Sequence, residues 1–186
     1  MSALSNPAGS FAPARRQLII AGALALGSFG LRPSAARAAG EDGISHSAVS
    51  IHQQPSFTAS RQRVYAALTD PQQFDQIVEL SGVMKAMHLQ GQASQISQNV
   101  GGSFALFGGY ITGLQVVLAP NELIVQAWRA GSWPRGAYSI ARIQLVDTEA
   151  GSRILFDHAG FPANEARSLA AGWKAHYWQP MQKLLS

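Results

Sequence analysis

The sequence has 186 residues, with 14 Lys and Arg against 10 Asp and Glu, and no cysteine. That length suits one domain, and the missing thiols exclude disulfide frameworks, zinc–thiolate sites and cysteine nucleophiles. The excess of base is local: residues 1–38 hold Arg15, Arg16, Arg32 and Arg37 and no acid, which leaves the remainder with ten of each sign. The sequence pI of 9.9 therefore belongs to the leader, and a neutral remainder has no electrostatic footprint for nucleic acid or anionic membrane.

The leader comes first. Arg15-Arg16 precede an apolar run over residues 18–26, and Ala36-Arg37-Ala38 follows. A charged region, a short apolar region and a small-x-small triplet in that order predict a secretory signal peptide over 1–38, cleaved before Ala39. The adjacent arginines match a twin-arginine address. The general secretory route is the alternative, because Ala14 stands where Ser or Thr is usual and no Lys follows. The run is interrupted by Gly22, Gly27 and Gly30 and falls short of the about 20 apolar residues of a membrane span. The mature chain is thus expected in the periplasm or outside the cell, without a membrane anchor.

Residues 39–47 are small and polar and read as a flexible lead-in, with the folded domain over 48–186. Residues 48–57 are rich in strand formers, with Ile51 on one face and His52 and Gln54 on the other. Ser60 is placed to cap a helix over Arg61–Thr69, with Val64, Tyr65 and Leu68 at helical spacing. Asp70-Pro71 then restarts the chain into a second helix reaching about Val78, with the cap residue followed by proline at the first helical position.

Strands are expected near 83–90, 93–99, 103–117, 122–130, 137–147 and 152–159, separated by turn signals at Gly101-Gly102, Pro120-Asn121, 131–136 and 149–151. Their short, regular spacing is that of an antiparallel meander. The glycine pairs at 101–102 and 108–109 read as a hairpin turn and a bulge. The longest helix is expected over 164–185, with Asn164 as its cap. Leu169, Trp173, Tyr177, Met181 and Leu184 form one apolar stripe. Pro180 lies inside it, and a kink is expected around 176–180. The fold class that results is α+β: a curved antiparallel sheet wrapped around a long C-terminal helix, with two short helices after the first strand.

The residues also carry a family resemblance. The run Gly101-Gly102-Ser103-Phe104-Ala105-Leu106-Phe107-Gly108-Gly109-Tyr110-Ile111-Thr112-Gly113 resembles the double-glycine strand segment of the activators of heat-shock protein 90 ATPase. So do Ile124-Val125-Gln126-Ala127-Trp128-Arg129, Trp133-Pro134, His158-Ala159-Gly160-Phe161-Pro162, Gly172-Trp173 and Tyr177-Trp178, collinear across about residues 50–186. The resemblance implies the helix-grip fold of the START-like, or birch-pollen-allergen-like (SRPBCC), superfamily, whose members often hold an apolar ligand between sheet and last helix. The eukaryotic activators carry a further N-terminal domain that is not expected in this sequence. Where the family tends to end the second helix on Trp, Gln76-Ile77-Val78 stand here.

Catalytic motifs are missing from the sequence: there is no G-x-S-x-G elbow, no phosphate-binding glycine loop and no H-E-x-x-H. His46, His52, His88, His158 and His176 show no metal-ligand spacing, so neither a metal nor another cofactor is expected. Asp157 and His158 are neighbours on a strand and point to opposite faces, which makes His158 a hydrogen-bonding residue near the strand-to-helix turn. The aromatic set, including Tyr110, reads as core. A cavity between sheet and helix is the competing reading, with Phe104, Phe107, Trp128, Trp133, Trp173 and Tyr177 as candidate ligand walls. The expected function is non-enzymatic binding of a small apolar molecule. A chaperone-activator type of protein-interaction module is the alternative, and a cyclase- or hydrolase-like enzyme the third reading.

Overall fold

The computed structural model describes residues 44–45, 50–86 and 92–186. The expected signal peptide, its cleavage site and His46 and His88 lie outside the described residues. Among the described residues, nine strands form one antiparallel sheet: β1 (Ile44–Ser45), β2 (Ser50–Gln53), β3 (Ser56–Phe57), β4 (Gln95–Ile96), β5 (Ser103–Leu106), β6 (Ile111–Ala119), β7 (Leu123–Ala130), β8 (Ser139–Thr148) and β9 (Gly151–Ala159). Their order is β1-β2-β9-β8-β7-β6-β5-β4, with β3 also paired to β9. From β4 to β9 this is the expected meander, and the chain's first long strand closes it by pairing with its last. The β1–β2 pairing brings Ile44 and Ser45, part of the expected lead-in, into the sheet.

Alternation aims one face of each strand at the core. On β8, Ser139, Ala141, Ile143 and Leu145 point inward, and on β9 Ser152, Ile154, Phe156 and His158 do. The helices cover this face. Ser60 Oγ accepts from Arg63 N at 3.4 Å to start α1 (Arg61–Thr69). Asp70 Oδ1 accepts from Gln72 N and Gln73 N at 2.9 and 3.0 Å to start α2 (Pro71–Ser81). Both caps act as the sequence predicts, because each satisfies backbone N–H groups that a first helical turn leaves free.

Three elements differ from expectation. The strand foreseen at 83–90 begins instead as a short helix, α3 (Val83–Ala86). Gly82 closes α2 in the left-handed region (φ 67°), and Ser81 Oγ then accepts from Val83 N at 3.3 Å, so the chain turns helical again. The strand foreseen over 103–117 is two strands joined by a tight hairpin. Phe107, Gly108 and Gly109 take φ values of 51°, 67° and 84° and reverse the chain. The bulge assigned to 108–109 lies farther along, between Gln115 and Val117.

The last helix is the third difference. It enters through a 3-10 turn, Ala163–Glu165, in which Glu165 N donates to Pro162 O at 2.9 Å and the Asn164 side chain caps nothing. It then runs as α4 (Ala166–Trp173), a π-turn (Lys174–Trp178) and α5 (Gln179–Leu184). Pro180 has no N–H to return to the preceding turn. The chain meets that defect upstream by widening, with Gln179 N donating to Lys174 O. The wide turn brings both Tyr177 and Trp178 inside, at 5% and 3% exposure, whereas a regular helix would rotate one of them away. Among the described residues no helix is long and apolar enough to cross a membrane.

Candidate functional site

Where β6 begins and β7 ends, the helix stands off the sheet and leaves a pocket of about 300 Å³, at the lower end of the range for small-molecule sites. The sheet wall is Ile111, Trp128 and Ala130; Ile111 and Ala130 are a cross-strand pair. The helix wall is Trp173, His176 and Tyr177, with Gly172 beside them. The hairpin contributes Phe107 and Tyr110, and Ser132, Glu165 and Ser168 contribute polar groups.

Local structure explains why these side chains meet. Phe107 occupies a conformation bulky residues rarely adopt. That conformation sets its ring edge-on to Phe74 (5.7 Å) and Tyr177 (5.3 Å). The π-turn sets His176 and Tyr177 on the pocket side, a placement in keeping with the frequency of such turns at functional sites. Tyr177 lies 4.1 Å from Trp173, centroid to centroid. Gly172 leaves a gap: a Cβ there would meet nothing within 4 Å.

Of the six aromatic wall candidates, the structure brings Phe107, Trp128, Trp173 and Tyr177 together. Phe104 and Trp133 are placed differently. Phe104 covers Gly113 on the neighbouring strand and borders a separate void of about 10 Å³. Trp133 packs edge-on behind Trp128 at 5.4 Å, one layer away from the pocket. Both are buried, but buried is not the same as facing the gap. Leu169 of the apolar stripe also lines the pocket, whereas sequence reasoning missed Glu165, Ser168, Gly172 and His176. They form a second helical row beside the apolar stripe, spaced three or four apart, and its mixed small and polar character was the available signal.

The polar atoms of the pocket are unusual. Among the described residues, four buried side-chain nitrogens or oxygens lack a hydrogen-bond partner, and three of them are Trp128 Nε1, His176 Nδ1 and the Tyr177 hydroxyl. Native proteins pair nearly all such groups, so a cluster on one pocket calls for an explanation. Trp128 sits close enough to the Tyr177 hydroxyl to oppose slightly the burial that raises its pKa, yet outside hydrogen-bond geometry. Burial holds Tyr177 well above the ordinary phenol value and pushes His176 below the ordinary imidazole value. Both are neutral at pH 7. Among the lining residues there is one carboxylate, Glu165, and no Lys or Arg.

His158 is fully buried and has its own closed network. Trp173 Nε1 donates to His158 Nδ1 at 2.9 Å, and His158 Nε2 lies 2.6 Å from Ser139 Oγ, which donates to Trp128 O at 3.0 Å. An indole N–H is only a donor, so Nδ1 must be bare and Nε2 must carry the proton. The Ser139–His158 contact is therefore not a nucleophile–base pair, because the nitrogen facing the hydroxyl is already protonated. Burial lowers the His158 pKa to about 3. Asp157 faces the other way, 2.8 Å from His52 Nδ1. Among the described residues no three His, Asp or Glu side chains are grouped to hold a metal ion.

A curved sheet gripping a C-terminal helix, with an apolar pocket between them, defines a helix-grip domain of the START-like class. The family described as "Activator of Hsp90 ATPase homolog 1-like protein" matches residues 58–186, and the chain belongs to that family. The mouse activator of 90 kDa heat shock protein ATPase homolog 1 is 24% identical over 116 residues, 62% of this chain and 34% of its own. The Dictyostelium discoideum homolog is 36% identical over 75 residues, 40% of this chain and 20% of its own. The chain thus spans about a third or less of these relatives. An HSP90 activator from Plasmodium falciparum superposes with a TM-score of 0.62 at 19% identity, over 73% of this chain and 95% of that one. CalU16 of Micromonospora echinospora superposes with a TM-score of 0.56 at 19% identity, over 74% and 75% respectively. These two likenesses concern the fold.

Proposed function

We propose that this protein is an exported, non-enzymatic START-like domain that binds a small hydrophobic molecule between its sheet and its last helix. The observation that carries the reading is the pocket of about 300 Å³ with aromatic walls on both sides. The polar lining residues Ser132, Glu165 and Ser168 add support, since an apolar cavity with a few placed polar groups is the usual form of a small-molecule site. The tautomer of His158 argues against hydrolytic chemistry at the most suggestive polar cluster. Export rests on the leader, with Arg15-Arg16, the apolar run and Ala36-Arg37-Ala38. N-terminal sequencing of the exported form should read Ala39 first, and an intact Met1 overturns the cleavage.

The test of the pocket uses N-phenyl-1-naphthylamine, a neutral fluorophore that brightens in apolar surroundings. The mature domain should bind it saturably with one site. Gly172→Leu, whose side chain grows into the gap, should abolish that binding while leaving the melting temperature at or above the parent's. No saturable binding by the parent, or undiminished binding by the variant, overturns the reading.

The names of the curated relatives support a second reading, a protein-interaction module that stimulates a heat-shock ATPase. The two readings separate cleanly. Saturable stimulation of a 90 kDa heat-shock ATPase by the mature domain, with no response to the fluorophore, favours the second.

A further inference from the structure

Burial divides the pocket into a floor and a mouth. The floor is apolar: Phe107, Ile111, Trp128, Ala130, Trp173 and Tyr177 are each at most 6% exposed. Among the polar lining residues, Ser132 and Ser168 are exposed and Glu165 is half-buried, so these three mark the mouth. A molecule that fits must put an apolar body inside and can keep a polar head only at the mouth. Burial thus sets the ligand's orientation, and the charge of the mouth sets which head it carries.

That charge has one sign. Glu165 is the one carboxylate on the lining, which includes no Lys or Arg. His176, the other titratable group near the mouth, is neutral at pH 7 because burial lowers its pKa. The bases of neighbouring segments, Lys85, Arg167 and Lys174, are exposed and stand off the lining. Among the described residues Glu165 enters no ion pair. Its carboxylate accepts from Ser168 Oγ at 3.0 Å, and a carboxylate has about four lone-pair sites, so accepting capacity is left over. A carboxylate or phosphate head would meet a like charge with no cation on the lining to offset it. A neutral head gains little over the hydrogen bonds that water already gives it. An ammonium gains the Coulomb attraction and brings three donors to a mouth of hydroxyl and carboxylate acceptors. A half-exposed pair is weak. It can rank different heads on one body, while the apolar floor supplies the binding itself.

We propose that the ligands of this pocket are cationic amphiphiles, with an apolar body on the aromatic floor and an amine at the mouth beside Glu165. This rests on the reading of the pocket as a small-molecule site and adds the sign of the charge that the molecule carries. It also sets this pocket against fatty acids and other apolar anions, for which the lining has no counter-charge.

The experiment puts three heads on one apolar body: 4-phenylbutylamine, 4-phenyl-1-butanol and 4-phenylbutyrate, each displacing N-phenyl-1-naphthylamine at pH 7 and low salt. In the parent the amine should bind about two- to fivefold more tightly than the alcohol, and the carboxylate more weakly than either. Added salt should shrink the amine's advantage, because a half-exposed pair is screened. The series is then repeated in Glu165→Gln, whose amide oxygen can still accept from Ser168. The informative quantity is the change in the amine-to-alcohol ratio between the two proteins, since the heads' own hydration cancels in it. That ratio should fall by about two- to fivefold, with the alcohol binding as well as before. A carboxylate that binds the parent as tightly as the amine, or a ratio that Glu165→Gln leaves unchanged, overturns the cationic class and leaves the pocket standing. Failure of the fluorophore itself to bind overturns the pocket, and the cationic class falls with it.

Discussion

Trp173 and His158 are joined by a hydrogen bond of 2.9 Å from indole Nε1 to imidazole Nδ1, the one polar tie between the middle of the C-terminal helix and strand β9 among the described residues. Their rings meet at 90° with centroids 5.6 Å apart. The same indole stands in the pocket wall, so one residue fixes the helix on the sheet and shapes the space between them.

Trp173 is 2% exposed. Trp173→Ala should cost about 3–5 kcal/mol in urea unfolding, the range for large aromatic truncations in a core. Trp173→Phe keeps a ring but strips His158 Nδ1 of its donor. It should cost about 1–3 kcal/mol, the penalty of a buried group left unpaired. A loss under about 1 kcal/mol for the alanine variant would mean that the ring contributes only to the pocket and not to the core.

Burial of the same histidine makes stability depend on pH. The folded-state pKa of His158, about 3, lies below the ordinary 6.5 because burial opposes its charge. Lowering the folded value means that protons bind the unfolded chain more tightly. The stabilisation is therefore full above pH 6.5 and is lost progressively as pH falls toward 3. His176 is shifted in the same direction. Between pH 7 and pH 4.5, the His158 contribution to unfolding free energy should fall by about 2–3 kcal/mol. His158→Gln, which can still accept from Trp173 and donate to Ser139, should remove most of that dependence. An equally steep profile in the variant refutes the assignment.

Two glycines of the family-like segments should respond in opposite ways. Gly113 lies under the ring of Phe104 on the paired strand, and a Cβ there would run into that ring and into the carbonyl of Ala127. Both neighbours are fixed in the sheet, so Gly113→Ala should destabilise by at least about 2 kcal/mol, as overpacking does. Gly172 faces open space from a helical backbone, and Gly172→Ala should stabilise by about 0.5–1 kcal/mol through helix propensity alone. Thermal melts of the two variants give the comparison directly.

The contrast also shows what the sequence could convey. Caps are local, and Ser60 and Asp70-Pro71 were legible because each acts on N–H groups two or three residues away. The meander was legible from its turn residues. Val83-Met84 looked like the start of a strand because a short apolar run has no period long enough to decide. The left-handed Gly82 and the Ser81 hydroxyl settle it, and neither acts until the preceding helix exists. The hairpin at 107–110 was hidden because Phe107, a poor residue for positive φ, shares the turn with two glycines. Pro180 marked a break, but the chain accommodates it one turn upstream, and that shift decides which side chains reach the pocket. For the site, strand position covered Phe104 and Trp128 and the helical stripe covered Trp173 and Tyr177, while Phe107 and Trp133 lie in turns, where neither pattern applies. Separating Phe104 and Trp133 from the other four depends on where the helix lifts off the sheet, which no spacing encodes. The unpartnered atoms are further still from the sequence, since an orphaned donor is defined by what fails to stand near it.

Tyr177→Phe tests whether the buried hydroxyl costs the fold stability. Tyr177 is 5% exposed and its hydroxyl has no hydrogen-bond partner. A buried polar group in that state costs about 1–3 kcal/mol relative to one that is paired, and replacing it by an apolar group of the same shape recovers part of that. The phenylalanine ring keeps the contacts to Phe74 at 5.6 Å, Phe107 at 5.3 Å and Trp173 at 4.1 Å. The variant should therefore be more stable than the parent by about 1 kcal/mol. Differential scanning calorimetry of both proteins decides it. A variant that is less stable than the parent would show that the hydroxyl is satisfied within the fold.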